Sequence, residues 1–354
     1  MASTQTALQR ERFRLYLRIV AASAVVGLCY GAILAQNLYP TWVSMIIGMA
    51  NGVGIAGCLA GIEIFLLREG SSMKRLLRLP FVVVVALKTV AYAGVVSVFV
   101  IALPRLLGQA PLARHAETVT IGVSLATTLI FVITLQVAGL LGRRTFRNLM
   151  FGRYRNPRAE RRFFLFVDVI GSTAIAERLG ALQAHRFLAA VFSATADPIA
   201  ACRGEIYQYI GDEIVVTWTE QEGRGKNPSE ALPLRCFFLM EESLRGLSDM
   251  FRAQFAAEPG LRAALHLGEV IAGEVGEVRR AIVYHGDVMN TASRLEQATR
   301  DLGCRFIASA DAVAALDSTG DIQLKDLGAL KLRGRKEPIR AWAVEQQQPA
   351  TRSP

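Results

Sequence analysis

Four apolar runs open the chain, at about residues 16–36, 42–67, 81–103 and 119–141, each near the ~20 residues an α-helix needs to cross a bilayer. They predict a domain over 1–142 containing four transmembrane helices. The pattern then changes: 143–161 is basic, carries Pro157 and lacks a long apolar run, as a linker does. From 162 to 346 short apolar runs alternate with amphipathic stretches. The spacing predicts a strand over 162–169, helices over 173–201, a hairpin over 205–210 and 213–218, and a helix over 230–255. A second hairpin over 262–266 and 270–273, a strand around Ile282, a helix over 288–300 and short strands near Phe306, Leu330 and Trp342 complete the pattern. Antiparallel pairs mixed with helices predict an α+β domain behind the all-α membrane domain. Residues 347–354 read as a disordered tail.

Composition agrees with a membrane part, since 52% of the 354 residues are hydrophobic and mean hydropathy is +0.32. Cations set the orientation. Arg10, Arg12, Arg14 and Arg18 precede the first run, Arg68, Lys74, Arg75 and Arg78 separate the second from the third, and Arg143, Arg144, Arg147, Arg153 and Arg155 follow the fourth. The other connections hold only Arg105 and Arg114, so the positive-inside rule places the N-terminus and the second domain in the cytoplasm of a multi-pass membrane protein. The arginine-rich start leads into a full-length span, unlike a cleaved signal peptide. Most of the +10 net charge is juxtamembrane, where anionic lipid is the nearer partner, so the bilayer and not nucleic acid is expected. The five cysteines form no Cys-x-x-Cys pair and indicate neither a disulfide framework nor a zinc site.

Candidate chemistry lies in the second domain. Asp168 closes the apolar run Phe163–Val167, and Asp212 follows Tyr207-Gln-Tyr-Ile-Gly211 at a tight turn, so both carboxylates are expected at one end of a sheet. Glu213, next in sequence, is expected on the other face by strand alternation. Two hard carboxylates suit Mg²⁺, which keeps waters and completes its octahedron with phosphate oxygens. Gly171, Ser172 and Thr173 supply a turn into a helix whose free N–H groups favour a polyphosphate. Taken singly, either aspartate reads as an ordinary surface residue. Asn290 and Arg294, four apart, share a helix face, and an amide beside a guanidinium adds recognition of a nucleotide.

Together these segments resemble the class III adenylate and guanylate cyclases over about residues 160–345. Phe166-Val-Asp-Val-Ile-Gly-Ser-Thr173 is similar to the family's first metal motif, Gly211-Asp212 to its second, and Gly286-Asp-Val-Met-Asn-Thr-Ala-Ser-Arg294 to its transition-state motif. His266-Leu-Gly-Glu-Val270, followed by Gly273 and Gly276, is similar to the hairpin between them. The resemblance implies a ferredoxin-like, palm-like antiparallel sheet with helices. It also implies two Mg²⁺ or Mn²⁺ ions per site, held by Asp168, Asp212 and the backbone carbonyl of Val169. Asn290 would orient the ribose and Arg294 would stabilise the transition state. A homodimer would share each site, one subunit supplying the aspartates and the other the asparagine and arginine. ATP is the expected substrate, with GTP as the alternative.

The chain departs from the family where the purine is read. Gln208 stands where adenylate cyclases usually have lysine and guanylate cyclases glutamate, and Val283 aligns with its usual Asp or Thr partner. An amide pairs with either purine edge and valine with neither. Leu332-Arg-Gly-Arg-Lys336 is similar to the family's phosphate-binding basic segment, with Arg333 in place of lysine and Arg335 or Lys336 as alternatives. His266 and His285 read as core or turn residues. Glu63 and Lys88 lie about 7 and 12 Å from the cytoplasmic ends of their helices at ~1.5 Å per residue. Snorkelling to the interface is preferred for them over an intramembrane ion pair.

The reading is thus a membrane-anchored adenylate cyclase. Its rivals are a guanylate or mixed-specificity cyclase and a membrane receptor whose cyclase-like domain only binds nucleotide. A diguanylate cyclase lacks its Gly-Gly-Asp/Glu-Glu-Phe hairpin here, and four spans with few polar residues make a poor transport pathway.

Overall fold

The computed structural model describes residues 2–34, 40–63, 79–102, 114–225, 230–316, 322–335 and 337–346. It divides into two units, Met1–Phe146 and Arg147–Pro354.

The first unit is helical: Ala2–Leu34, Thr41–Gly61, Phe81–Ser97 continuing into a wider turn at Val98–Ala102, and Arg114–Leu141. By length and composition three stretches suffice to cross a membrane, Tyr16–Ile33, Thr41–Gly61 and Phe81–Ile101. A fourth counts as a span only when Thr128–Leu141 is taken with Arg144–Met150. The basic residues Arg68, Lys74, Arg75, Arg78 and Arg105, and the run ends at 35–36, 64–67 and 103, lie outside the described residues, as does 347–354.

The first two helices touch backbone to backbone. A Cβ at Gly27 would stand 2.1 Å from the Gly48 carbonyl oxygen, and one at Gly31 2.1 Å from that of Ser44. Such approach through small residues is how apolar helices associate where lipid removes the hydrophobic drive. Glu63 and Lys88 correct the snorkelling expectation. Lys88 Nζ donates to Glu63 Oε1 at 2.7 Å and the Tyr92 hydroxyl donates to Oε2 at 2.5 Å, with Lys88 and Tyr92 both buried. A charge in an apolar setting is held most cheaply by an opposite charge and a hydrogen bond together.

The second unit is built on an eight-stranded sheet in the order β2-β3-β1-β4-β6-β8-β7, with β5 paired to β4. The strands are β1 Arg158–Ile170, β2 Glu205–Ile210, β3 Glu213–Thr219, β4 Gly260–Val275, β5 Ala281–His285, β6 Phe306–Ser309, β7 Ile322–Leu330 and β8 Ile339–Gln346. All pairs are antiparallel except β4 with β6. Alternation along β1 sorts its side chains. Phe163, Leu165, Val167 and Val169 enter a core with Phe187, Val191, Leu234, Phe237, Met240 and Phe251, from helices Ala181–Ala201, Leu232–Arg245 and Ser248–Phe255. Phe164 and Phe166 face the other way, packing with Val215, Tyr284, Val288 and Ala292. Helix Asp287–Asp301 covers this second face, and Asp168 is the next residue along it.

Two expectations are corrected here. The helix expected over 230–255 is two helices, the first ending at Gly246. The hairpin expected over 262–273 is one sixteen-residue strand, β4. Gly268 does not turn the chain: it has no positive φ and pairs with Arg162 within a ladder that runs the length of β1. Its missing side chain serves packing, because a Cβ there would stand 2.5 Å from Val288 Cγ2 of the covering helix. The reversal falls at Gly276, whose φ of +97° suits glycine. Gly268→Ala should therefore destabilise the fold by about 1–3 kcal/mol, an overpacking cost. In thermal unfolding, adding Val288→Ala should cost less in the Gly268→Ala background than in wild type; simple additivity would show that the two residues do not collide.

Candidate active site

Asp168 sits at the end of β1, directly opposite Glu213 of β3 and Arg262 of β4 in register. Paired residues point to one face, so Glu213 lies on the face of Asp168, contrary to the sequence expectation. Asp212 belongs to the turn before β3, so strand alternation does not extend to it and it sets no phase for Glu213. The Asp168 side chain is only 5% exposed. Its Oδ2 accepts from Arg262 Nη2 at 2.6 Å and from Arg300 Nη2 of helix Asp287–Asp301 at 3.1 Å. Arg262 Nε lies 3.8 Å from Glu296 Oε1, an ion pair too long for a hydrogen bond. Asp212, half-buried in the turn after Gly211 (φ +62°), accepts from the Ser172 hydroxyl at Oδ2.

Four carboxylates and two guanidiniums therefore share one end of the sheet. Burial, and then the charges of Glu296, Asp168 and Asp212, push the Glu213 carboxyl up to about 7. Burial and Asp168 raise Glu296 as well. One oxygen on each, Glu213 Oε1 and Glu296 Oε1, is buried without a hydrogen-bond partner. Carboxyl oxygens without hydrogen-bond partners beside Asp168 and Asp212 form an environment that a hard cation would relieve, so the donor chemistry fits Mg²⁺ or Mn²⁺. Among the described residues no three His, Cys, Asp or Glu side chains are gathered as a metal cage. The protein's share would be the two aspartates and backbone oxygen, with water and phosphate completing the shell.

The remaining expected residues are placed as follows. The Val169 side chain is buried in the opposite core, leaving only its backbone for the site. Gly171 adopts φ +70° and starts helix Ser172–Leu179 with no side-chain cap, and Thr173 is exposed. Asn290 is exposed and Arg294 half-buried. They lie opposite Val288, Ala292 and Leu295 on their helix, turned away from the sheet that carries Asp168. At ~100° per residue Arg294 is about 160° around the helix from Glu296, which faces the carboxylate cluster. A Cβ at Gly334 would stand 3.4 Å from Arg294 Nη2, which brings the basic segment beside that arginine. There Arg333 is exposed, Arg335 Nη1 donates to Asp287 Oδ2 at 2.6 Å, and Lys336 lies outside the described residues.

The chain does not bring Gln208 and Val283 to one face. Gln208 opposes Val215, on the face of Asp168. Val283 opposes Gly273, on the side of β5 opposite to Tyr284, whose partner Ala272 lies in the Asp168-side core. On the Phe164 and Phe166 face of β1 lies a group that sequence reasoning missed. Arg162, 2% exposed, donates to Thr217 Oγ1 at 3.1 Å and Glu160 Oε2 at 2.9 Å and lies 4.6 Å over the Tyr284 ring. His266 is a core residue as expected: it is buried against Ser309 Oγ at 2.8 Å, and burial pushes its pKa down to about 4.

Glu213 holds its proton more tightly folded than at its ordinary 4.5, so the stability it contributes is complete below about pH 4.5 and is lost as pH rises through about 7. Glu213→Gln should accordingly raise the unfolding temperature of chelator-treated protein at pH 8 and give no such gain at pH 4.5. Equal shifts at both pH values would mean that the carboxyl is not perturbed.

The family model for the adenylate and guanylate cyclase catalytic domain matches residues 154–346, more than half of the chain. Adenylate cyclase 2 of Rhizobium meliloti (strain 1021) is 37% identical over 216 residues, covering 61% of this chain and 58% of that protein. Adenylate cyclase 1 of the same organism is 28% identical over 181 residues, covering 51% and 27%. The chain thus spans little more than half of the first relative and about a quarter of the second. A solved structure of a bacterial light-regulated adenylyl cyclase superposes with a TM-score of 0.54 at 19% identity, over 68% of this chain and 69% of that one, a likeness of fold.

Proposed function

Because the chain belongs to the adenylate and guanylate cyclase catalytic-domain family, we propose that it converts ATP to 3′,5′-cyclic AMP and pyrophosphate at sites shared between two copies, anchored to a bilayer by its N-terminal helices. The observation that carries this reading is the convergence of Asp168 and Asp212 at one end of the sheet while Asn290 and Arg294 of the same chain face outward. A single chain supplies half of a site twice over, and a two-fold partner supplies the complement. The names of both Rhizobium relatives favour ATP over GTP.

Mg²⁺ or Mn²⁺, two per site on Asp168, Asp212 and the Val169 carbonyl, would acidify the ribose 3′-hydroxyl and neutralise the triphosphate. The 3′-oxygen attacks the α-phosphorus, its proton leaves to solvent, and the bond to the β-phosphate bridging oxygen breaks to release pyrophosphate. Arg294 of the partner copy places its guanidinium on the charge that develops at the α-phosphoryl group, and Asn290 holds the ribose so that attack is in line. Gly171, Ser172 and Thr173 present uncapped backbone N–H groups to the polyphosphate, and the basic segment at Arg333 borders Arg294. Gln208 contacts the purine edge with an uncharged amide. An apolar Val283 adds no hydrogen bond, so discrimination against GTP should stay under ~100-fold.

The purified chain should make cyclic AMP with Mg²⁺ or Mn²⁺ and lose the activity to chelator, and Arg294→Ala should cost ~10²–10³ in rate. If folded wild type makes neither cyclic nucleotide from ATP or GTP, the receptor that only binds nucleotide becomes the better reading.

Sharing has its own test. Asp168→Ala and Arg294→Ala are each expected to be nearly inactive, yet in a mixed dimer one site collects both lesions and the other neither. Random pairing at equal amounts makes half the dimers mixed, so co-expression should recover about a quarter of wild-type activity. No recovery, with mixed dimers demonstrated by pull-down, would mean that each chain builds its own site.

A further inference from the structure

Two guanidiniums, from different elements, converge on one oxygen of Asp168, and they are held very differently. Arg262 projects from β4 with its side chain 17% exposed, fixed between Asp168 and Glu296. Arg300 projects from the last turn of helix Asp287–Asp301 with its side chain 56% exposed, and its hydrogen bond to Asp168 Oδ2 spans 132 residues of sequence. The buried carboxylate gains from both, since Asp212, Glu213 and Glu296 add negative charge around it.

A divalent cation on the same carboxylate changes the balance. Within a few ångströms it repels both guanidiniums, and Oδ2 has too few lone pairs to serve a metal and two N–H donors. Arg262 retains Glu296 when Asp168 is taken. Arg300, long and solvent-facing, swings at little cost. Arriving with the metal is a polyphosphate, and a planar guanidinium is the side chain best matched to its oxygens.

We propose that Arg300 is a displaceable counter-cation, which competes with the divalent metal for Asp168 and, once displaced, binds the polyphosphate of substrate or the pyrophosphate product. The inference rests on the metal site of the proposed function and adds to it a residue outside the segments that carry the family resemblance. It makes metal and polyphosphate binding mutually reinforcing, because each one removes a competitor of the other.

The test uses the full chain in detergent, with Mn²⁺ titrated in the absence of nucleotide and free Mn²⁺ followed by electron paramagnetic resonance. Arg300→Gln should tighten Mn²⁺ binding roughly two- to fivefold, the range that loss of a solvent-facing competing ion pair permits. At saturating Mn²⁺ the same variant should bind pyrophosphate about tenfold more weakly by calorimetry, as expected for loss of one charge-assisted donor. Arg305→Gln removes a cation that pairs with Glu241 and should change neither quantity. Unchanged Mn²⁺ affinity in Arg300→Gln, unchanged pyrophosphate affinity, or an equal Mn²⁺ effect in Arg305→Gln would each overturn the proposal while leaving the metal site standing. If wild type binds no Mn²⁺ that Asp168→Asn abolishes, the metal reading falls as well, and the proposal with it.

Discussion

A carboxylate 5% exposed at the end of a central strand is the constraint on which the rest of the catalytic unit depends. A buried charge left unpaired in such a place is strongly destabilising. β1 prevents this by being paired along both edges: β4 places Arg262 opposite Asp168, and β3 places Glu213 and the Asp212 turn on the other side. The helix that covers this face completes the arrangement with Glu296 and Arg300. The result is a deliberately unneutralised end of the sheet, with four carboxylates against two guanidiniums. Orphaned oxygens on Glu213 and Glu296 are a cost that a purely structural ion cluster would avoid and a cation-binding site tolerates.

The same sheet explains why the site is rigid. Phe163, Leu165, Val167 and Val169 are fully buried on one side, Phe164 and Phe166 on the other. β1 therefore cannot slip by one residue without exchanging its two faces, and a slip would carry Asp168 into the apolar core. Gly268 adds a second lock. The covering helix comes so close at Val288 that no side chain fits beneath it, which fixes the height of Glu296 and Arg300 above the carboxylate-bearing end of the sheet.

What was legible in the sequence follows from which residues carry a local signal. Asp168 and Asp212 end apolar runs, and Asn290 with Arg294 repeats at a helical interval, so a one-dimensional reading finds them. Arg262, Glu213, Glu296 and Arg300 matter because of partners 94 residues distant or more in the case of the arginines, and no local pattern announces that. Glu213 takes its face from its pairing with Asp168, and not from Asp212, which lies in the turn and carries no strand phase. The β4 misreading has the same origin: His266-Leu-Gly-Glu carries a glycine and two polar residues, which locally resemble a reversal. Tertiary pairing with the whole length of β1 overrides it. In the N-terminal helical unit, hydropathy locates the helices but is blind to register between them, so the contact of Glu63 with Lys88 and Tyr92 is not readable from depth alone.

Helix Asp287–Asp301 ties these points together, because it is read on two sides. Its inner stripe, Val288, Ala292 and Leu295, is apolar and buried, and flanking it Glu296 pairs with Arg262 and Arg300 with Asp168 of their own chain. Its outer stripe, Asn290 and Arg294, faces away. An amphipathic helix ordinarily spends its outer face on solubility, for which Lys and Glu serve and position is indifferent. Here the outer pair is an amide and a guanidinium, beside a basic segment that approaches within contact of Arg294 at Gly334. Under the proposed function a rigid helix thus connects two half-sites: the cation balance at Asp168 on one side, and the groups presented to the partner's nucleotide on the other. Any displacement of the helix that loosens Arg300 from Asp168 also moves Arg294, which is a physical reason for placing both arginines on one element.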